Sequence, residues 1–327
     1  MKAKNSTMKE WLYEWFEVYA KPNVKQSTAV TYECYIRKHI VPILGDTLLS
    51  EIRLNILQKF FNKEAQDYTA KTVRNIRMML HTAFKNAYQN DLVEKNYVEF
   101  VTIPTVHTPE MRVFTVEKQN KLINELKRTD EQFAFGIFLC LATGIRVGEL
   151  CGLQWKHIDI ENRNLMIRQT LQRLPRLDYD GVGKKTEIVI GFPKSQASKR
   201  DIPLEDAIIQ KLLEYKKSME ELYGKYISQP DEFLITSGRG KTSEPRTMQD
   251  AFKRIILNAG IADANFHALR HTFATRALET GVDFKTLSII LGHSDISVTM
   301  NRYAHVLEEP KRNAMKNITA TILQQKE

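Results

Sequence analysis

The spacing of apolar residues changes character twice along this chain, and those changes limit the folds open to it. Over the first hundred residues the spacing is helical. Met8 to Tyr19 carries Trp11, Leu12, Trp15, Phe16 and Tyr19 at helical intervals. Thr7 stands before that stretch and Glu10 at its third position, the pattern of a capping box. A second helix is predicted over Ser27 to Ile40, ended by Pro42 and Gly45, and a third over Ile52 to Tyr68. A fourth, Lys71 to Gln89, has an apolar stripe of Val73, Ile76, Met79, Leu80, Ala83, Phe84 and Ala87. Its other face carries Lys71, Arg74, Arg77 and Lys85.

From about Trp155 to Pro203 the spacing becomes that of strands. Asn164 to Leu171 alternates, Glu187 to Phe192 is rich in β-formers, and Lys199 to Leu204 is expected to close a hairpin. The intervening loop, Pro175 to Lys185, is polar and holds Gly181 and Gly183. After Glu205 the helical reading returns, with a break at Ser228 to Arg246. The chain is therefore expected to be mainly α with a small β-sheet.

At 327 residues it is also too long for one ordinary core. Thr102 to Arg112 holds two prolines and no apolar periodicity, which marks a linker. We expect a helical domain over 1–103, a linker over 104–112 and a second domain over 113–327, with a tail segment from about 308. In the second domain a helix should begin at Thr115, and the apolar Phe133 to Thr143 should be a buried helix.

Charge narrows the partners. Lys and Arg number 48 against 39 Asp and Glu, a net +9 shared by both halves, which suits an anionic partner. Cys34, Cys140 and Cys151 lack metal-type spacing, so neither a zinc site nor a disulfide framework is expected. No apolar run reaches membrane-spanning length and no amphipathic Lys-rich helix suggests a membrane surface. The first residues hold no signal peptide, so a cytoplasmic location with access to the nucleoid is expected.

Four short stretches carry candidate chemistry. In Ala142-Thr-Gly-Ile-Arg146-Val-Gly-Glu149-Leu150 an arginine leaves a glycine turn and opens a helix, a place that favours anions. Pro193-Lys194-Ser195 to Lys199-Arg200-Asp-Ile-Pro203 reads as a basic hairpin tip whose lysine can reach a phosphodiester. In His267-Ala-Leu-Arg270-His271, His267 and Arg270 share a helix face at i and i+3, a proton acceptor beside a guanidinium fork. In Leu291-Gly-His293 to Asn-Arg302-Tyr303-Ala-His305, a histidine follows a glycine and a tyrosine lies ten residues on. Alone, the first reads equally well as a surface arginine at a helix start, and the second reads better as an ordinary solvated turn. The third also reads as a helix with polar side chains facing water, and the lone tyrosine of the fourth as a packing residue.

Together and in this order, Arg146, Lys194, His267-x-x-Arg270, His293 and Tyr303 resemble the tyrosine recombinases, the phage integrase family, over nearly the whole chain. The resemblance implies a helical core-binding domain followed by a mixed α+β catalytic domain. It implies a site-specific DNA recombinase of mobile-element integrase type, acting through a 3′-phosphotyrosine. Tyr303 would be the nucleophile and His267 the acceptor of its proton. Arg146 and Arg270 would clamp the phosphate, His293 would hydrogen-bond it, and Lys194 would protonate the leaving 5′-oxygen. Glu149 would support the cations from behind. Lys71, Arg74, Arg77, Lys199 and Arg200 are candidate DNA contacts, while His271 and His305 are given structural or backbone-contact roles.

No metal, nucleotide or other cofactor is implied. The implied partners are double-stranded core sites, a homo-tetramer on synapsed DNA in which the tail docks on a neighbour, an accessory DNA-bending protein and a directionality factor. Readings kept open are a recombinase that resolves chromosome dimers, a DNA-binding regulator without cleavage, and a topoisomerase-like enzyme using the same tyrosine.

Overall fold

The computed structural model describes residues 6–103, 112–129, 132–179, 181–192, 196–236, 242–261, 264–304 and 308–323, with backbone alone at 196, 308–311, 313 and 314. The chain divides into two compact units, 1–109 with 174–187, and 110–173 with 188–327.

The first unit is helical: α1 (Met8–Trp15), α2 (Gln26–Tyr35), α3 (Val41–Leu44), α4 (Leu54–Asp67) and α5 (Ala70–Gln89). Thr7 and Glu10 form the reciprocal cap. The Glu10 N–H donates to Thr7 Oγ1 at 3.2 Å and the Thr7 N–H donates to Glu10 Oε2 at 2.8 Å. Two π-helical turns, Phe16–Ala20 and Ile36–Ile40, come just before Pro22 and Pro42. Proline has no N–H to donate and its ring crowds the carbonyl four residues back, and a wider turn relieves both problems. For this reason the second predicted helix does not stop at Ile40 but runs on through Pro42 to Gly45.

One core joins these helices through Trp11, Trp15, Ile36, Ile40, Phe61, Ile76, Leu80 and Phe84. Within it Trp15 Nε1 donates to Asn86 Oδ1 at 2.9 Å, and His39 Nδ1 meets Glu64 Oε2 at 2.6 Å. The polar face of α5 leaves Lys71 and Arg74 exposed. Arg77 turns its Nη2 onto the Glu99 carbonyl at 3.0 Å and is half-buried. The segment 174–187, expected in the second domain, belongs to this unit: Leu177 packs on its core and Gln26 Nε2 donates to Glu187 Oε1 at 2.6 Å.

The second unit is built around α7 (Phe133–Thr143), on which α6 (Val116–Arg128), α9 (Asp206–Tyr223), α10 (Pro245–Asn258) and α11 (His267–Glu279) all pack. The other helices are α8 (Val147–Gly152), α12 (Phe284–Leu291), α13 (Ile296–Tyr303) and α14 (Glu308–Ile322). α14 leaves Met315, Ile318, Ile322 and Leu323 exposed. Among the described residues no helix is long and apolar enough to cross a membrane.

The strands correct two expectations. Asn164 to Leu171 is not one strand but β2 (Asn164–Ile167) and the start of β3 (Thr170–Pro175). The hairpin expected from Glu187–Phe192 and Lys199–Leu204 does not form. β4 (Thr186–Gly191) pairs with β3, while β5 (Arg200–Pro203) lies antiparallel to β2 in a sheet ordered β1 (Ile158–Asp159), β2, β5. Burial explains the choice. β5 turns Arg200 and Ile202 inward, matching the inward Leu165 and Ile167 of β2, whereas β4 leaves Ile188 and Ile190 exposed.

The two faces of α5 should differ in stability. Phe84→Ala is expected to cost about 3–5 kcal/mol in a urea unfolding measurement, because Phe84 is wholly enclosed. Arg74→Ala, on the exposed face, should leave the midpoint near wild type.

Candidate active site

Helix ends and two glycines place the candidate residues of the second unit. α7 ends at Gly144 in the left-handed conformation, with φ of 67°. A side chain there would drive into the Phe273 ring, at 2.5 Å from its Cδ1. The chain turns and Arg146 becomes the N-cap of α8. α12 ends in the same way at Gly292, with φ of 65°, and a Cβ there would lie 2.8 Å from Arg200 Nη1. His293 occupies the turn that follows, and Asp295 caps α13, which ends on Tyr303.

Glu149 ties these ends together. Its carboxylate accepts the Arg146 N–H at 2.9 Å and Arg146 Nη1 at 2.7 Å. It also accepts Arg200 Nη1 at 3.1 Å and Nη2 at 2.9 Å. Burial alone would raise the pKa of this carboxyl, but the Arg200 hydrogen bonds and charge, with the charge of Arg146, bring it down to about 2. Arg200 departs from the expected DNA contact. It is buried, its Nε donates to the Ile290 carbonyl and its Nη1 to the Ser198 carbonyl at 3.1 Å. The inward register of β5 puts it there, so it connects β5, α8 and the end of α12 and presents no face to a ligand. Lys199 is exposed, its ammonium 5.0 Å from the centre of the Phe192 ring.

Arg270 is also buried, yet no carboxylate pairs with it directly among the described residues. Its Nη1 donates to the Gly144 carbonyl at 2.8 Å and its Nη2 to the Leu291 carbonyl at 2.6 Å. Both acceptors lie at helix C-termini, where carbonyls are unsatisfied and the helix dipole is negative. Burial, followed by the charge of Arg146, lowers the Arg270 pKa to about 9. Nη2 also lies 2.9 Å from His293 Nε2, and His293 Nδ1 lies 2.7 Å from Thr299 Oγ1. A guanidinium can only donate, so we assign the His293 proton to Nδ1. Arg146 keeps a partly open edge, with Nη2 3.4 Å from the Gly292 carbonyl.

His267 opens α11 and lines a cleft of about 370 Å³ together with Ile145, Gln249, Lys253, Asn265 and Arg270. Its ring meets the His271 ring edge-on with centroids 4.7 Å apart. The partner of the Tyr303 hydroxyl is His271, at 2.7 Å from Nδ1, and not His267, the residue expected to take the phenol proton. Tyr303 is buried, which raises its pKa, while Arg270 and Arg302 pull the other way. Burial, with neighbouring cations, lowers His267 and His293 to about 4 and His271 to about 3.

The structure thus gathers Arg146, Glu149, His267, Arg270, His293 and Tyr303 around the ends of α7, α11, α12 and α13. Lys194 and His305 lie outside the described residues. Two participants were missed. Thr299 shares a helix face with Tyr303 at i, i+4, a signal present in the sequence. His271 sits one turn after His267, but nothing local to it points to Tyr303.

Because the Glu149 pKa is depressed in the fold, its stabilisation is present above about pH 4.5 and is lost as pH falls toward 2. Relative to its own protonated form, the carboxylate should favour the folded state by about 3 kcal/mol at neutral pH. Urea unfolding of wild type should therefore weaken more between pH 5 and pH 3 than unfolding of Glu149→Gln, and equal pH slopes would contradict the depressed pKa.

Known proteins resemble this chain over most of its length. The model described as Phage integrase family matches residues 112–309, and the one described as Phage integrase, N-terminal SAM-like domain matches residues 7–65. A protein named tyrosine recombinase XerC-like, from Caldanaerobacter subterraneus subsp. tengcongensis, is 31% identical over 324 residues, covering 95% of this chain and 81% of that protein. The transposase from transposon Tn916 of Enterococcus faecalis is 24% identical over 319 residues, covering 92% of this chain and 76% of that protein. Among solved structures, the Tn1549 transposon integrase in complex with transposon right end DNA has a TM-score of 0.79 at 26% identity, covering 96% of this chain and all of that one (100%). A lambda integrase dimer bound to a core site shares the fold, with a TM-score of 0.67 at 21% identity over 92% of this chain and 78% of that one. The chain belongs to the phage integrase family of tyrosine recombinases.

Proposed function

We propose that this chain, a tyrosine recombinase that cleaves and rejoins DNA strands, serves the integration and excision of a mobile element. The observation that carries the reading is the convergence of Arg146, Arg270 and His293 around the turn at Gly292, with Arg270 near enough for its charge to act on the Tyr303 phenol. A phosphodiester repels nucleophiles with its own charge. Cleavage needs cations on the non-bridging oxygens, a held nucleophile and a proton for the leaving oxygen.

Tyr303 attacks the scissile phosphorus as its phenol proton passes to His267; the bond to the 5′-oxygen breaks, leaving a 3′-phosphotyrosine and a free 5′-hydroxyl. Arg146 and Arg270 hold the non-bridging oxygens, His267 hydrogen-bonds them, His293 joins once its ring gains a second proton at Nε2 and turns from Arg270, and Lys194 gives the leaving oxygen its proton. The covalent link keeps the phosphodiester bond energy, so a 5′-hydroxyl from a second strand rejoins the DNA without ATP. Lys71, Arg74 and Lys199 supply charge to the DNA backbone. The partners of this reading are double-stranded core sites and a homo-tetramer on synapsed DNA, in which α14 docks its exposed apolar residues on a neighbour. A DNA-bending protein and a directionality factor belong to it, as does a cytoplasmic, nucleoid-associated location. A second reading is a recombinase that resolves chromosome dimers.

A suicide-substrate assay tests the chemistry. A nicked core-site duplex from an element's own ends is incubated with EDTA present. Wild type is expected to form a denaturation-resistant protein–DNA adduct, and Tyr303→Phe to bind the duplex without forming one. Adduct formation by Tyr303→Phe would falsify the nucleophile assignment. Chromosomal dimer-resolution sites serve as the competing substrate, and preference for them would favour the second reading. Arg146→Lys is expected to cost about 3 kcal/mol or more in transition-state stabilisation, since a point charge does not replace a planar fork. Deleting the residues after 311 should damage synaptic assembly more than DNA binding, as read by native gels.

A further inference from the structure

Two histidines stand one turn apart at the start of α11, and it is the second that meets the nucleophile. His271 Nδ1 lies 2.7 Å from Tyr303 Oη, and the two residues are 9% and 1% exposed. His267 makes no hydrogen bond to the phenol among the described residues; its ring meets the His271 ring edge-on, and the His271 ring is tilted against that of Tyr303.

A buried phenol must place its single proton on an acceptor. Donation to Nδ1 satisfies both groups. Were Nδ1 itself protonated, the phenol hydrogen would have no acceptor among the described residues. The neutral ring with its proton on Nε2 follows as the assignment. We propose that His271 is a positioning residue for the nucleophile: its Nδ1 accepts the Tyr303 O–H and so fixes the direction in which the phenol oxygen faces the phosphate. The proposal rests on Tyr303 being the nucleophile.

A phenol hydroxyl otherwise turns freely about its C–O bond. With the proton held toward α11 the oxygen lone pairs point away from it and the oxygen itself is held in place, and misplacement of a reacting atom by about an ångström costs about a hundredfold in rate. The surroundings keep the ring in this role. Burial first, then His267, Arg302, Arg270 and His293, lower its pKa to about 3. Such a ring stays neutral and keeps its lone pair, but is a poor sink for the proton of a phenol whose own pKa is raised. Orientation, and not proton storage, is what it supplies.

Single-turnover adduct formation on the nicked duplex tests this, with affinity measured in parallel by gel shift and folding by thermal melting. His271→Leu removes the acceptor and should form adduct about 100-fold more slowly at unchanged affinity. His271→Asn places an amide oxygen where Nδ1 stood and should recover to within about tenfold of wild type. His271→Gln carries its amide one bond further, keeps polarity and size, and should remain slow. Rescue by Asn but not by Gln is a readout that loss of packing would not produce, and the pair decides the matter even if the Leu variant fails to fold. Equal rates for Asn and Gln, or a folded Leu variant at the wild-type rate, overturn the proposal. An adduct that persists in Tyr303→Phe instead overturns the nucleophile assignment, and this proposal with it.

Discussion

The candidate site depends on one buried carboxylate. Glu149 offers four lone-pair positions and receives four donors: the Arg146 N–H, Arg146 Nη1, and Arg200 Nη1 and Nη2. A buried ion pair is a poor source of net stability because both charges give up water. Its value here is geometric. Arg200 reaches on to the Ile290 and Ser198 carbonyls, so the turn after α7, strand β5 and the end of α12 are all referenced to the same two oxygens. Removing Glu149 would leave two neighbouring guanidiniums without the charge between them, and Arg146, the more open of the two, would be free to swing from its place.

Arg270 is seated by a different device. Backbone carbonyls at two helix C-termini receive it, and both helices end on left-handed glycines, Gly144 and Gly292. Such caps leave carbonyls pointing out of the helix end. A guanidinium placed between two of them is held by dipoles and not by a full negative charge, so its own charge is left for a ligand. Glu149 therefore fixes the frame, and the helix ends position a cation that no carboxylate among the described residues contacts directly.

Legibility in the sequence follows the range of the forces involved. The Thr7–Glu10 cap, the stripe of α5 and the limits of α7 depend on neighbours within a few residues, and spacing alone exposed them. Strand pairing did not, because whether β5 joins β4 or β2 depends on which partner buries Ile202. Arg200 reads as a surface cation in a basic stretch, since the carboxylate that permits its burial lies 51 residues earlier. Its alternation with Ile202 was the available clue. His271 is harder to place. Ala268 through Thr272 are all buried, so α11 has no polar stripe to say which way any side chain faces. The partner of His271 arrives from another helix, 32 residues on.

The charges in this cluster do not balance, and the imbalance has a direction. Arg146, Arg200 and Arg270 share the single carboxylate of Glu149, and Arg302 adds a further cation nearby. That excess, added to burial, is why three histidines are held neutral at physiological pH. A phosphate anion seated at Arg146 and Arg270 would supply the missing negative charge. The repulsion acting on His267 and His293 would then weaken, and their rings would become better hydrogen-bond donors at the place where a transition state gathers charge. Without it, Tyr303 stays protonated, buried and held by His271. With Tyr303 as the proposed nucleophile, the electrostatic arrangement stays incomplete until the substrate itself completes it.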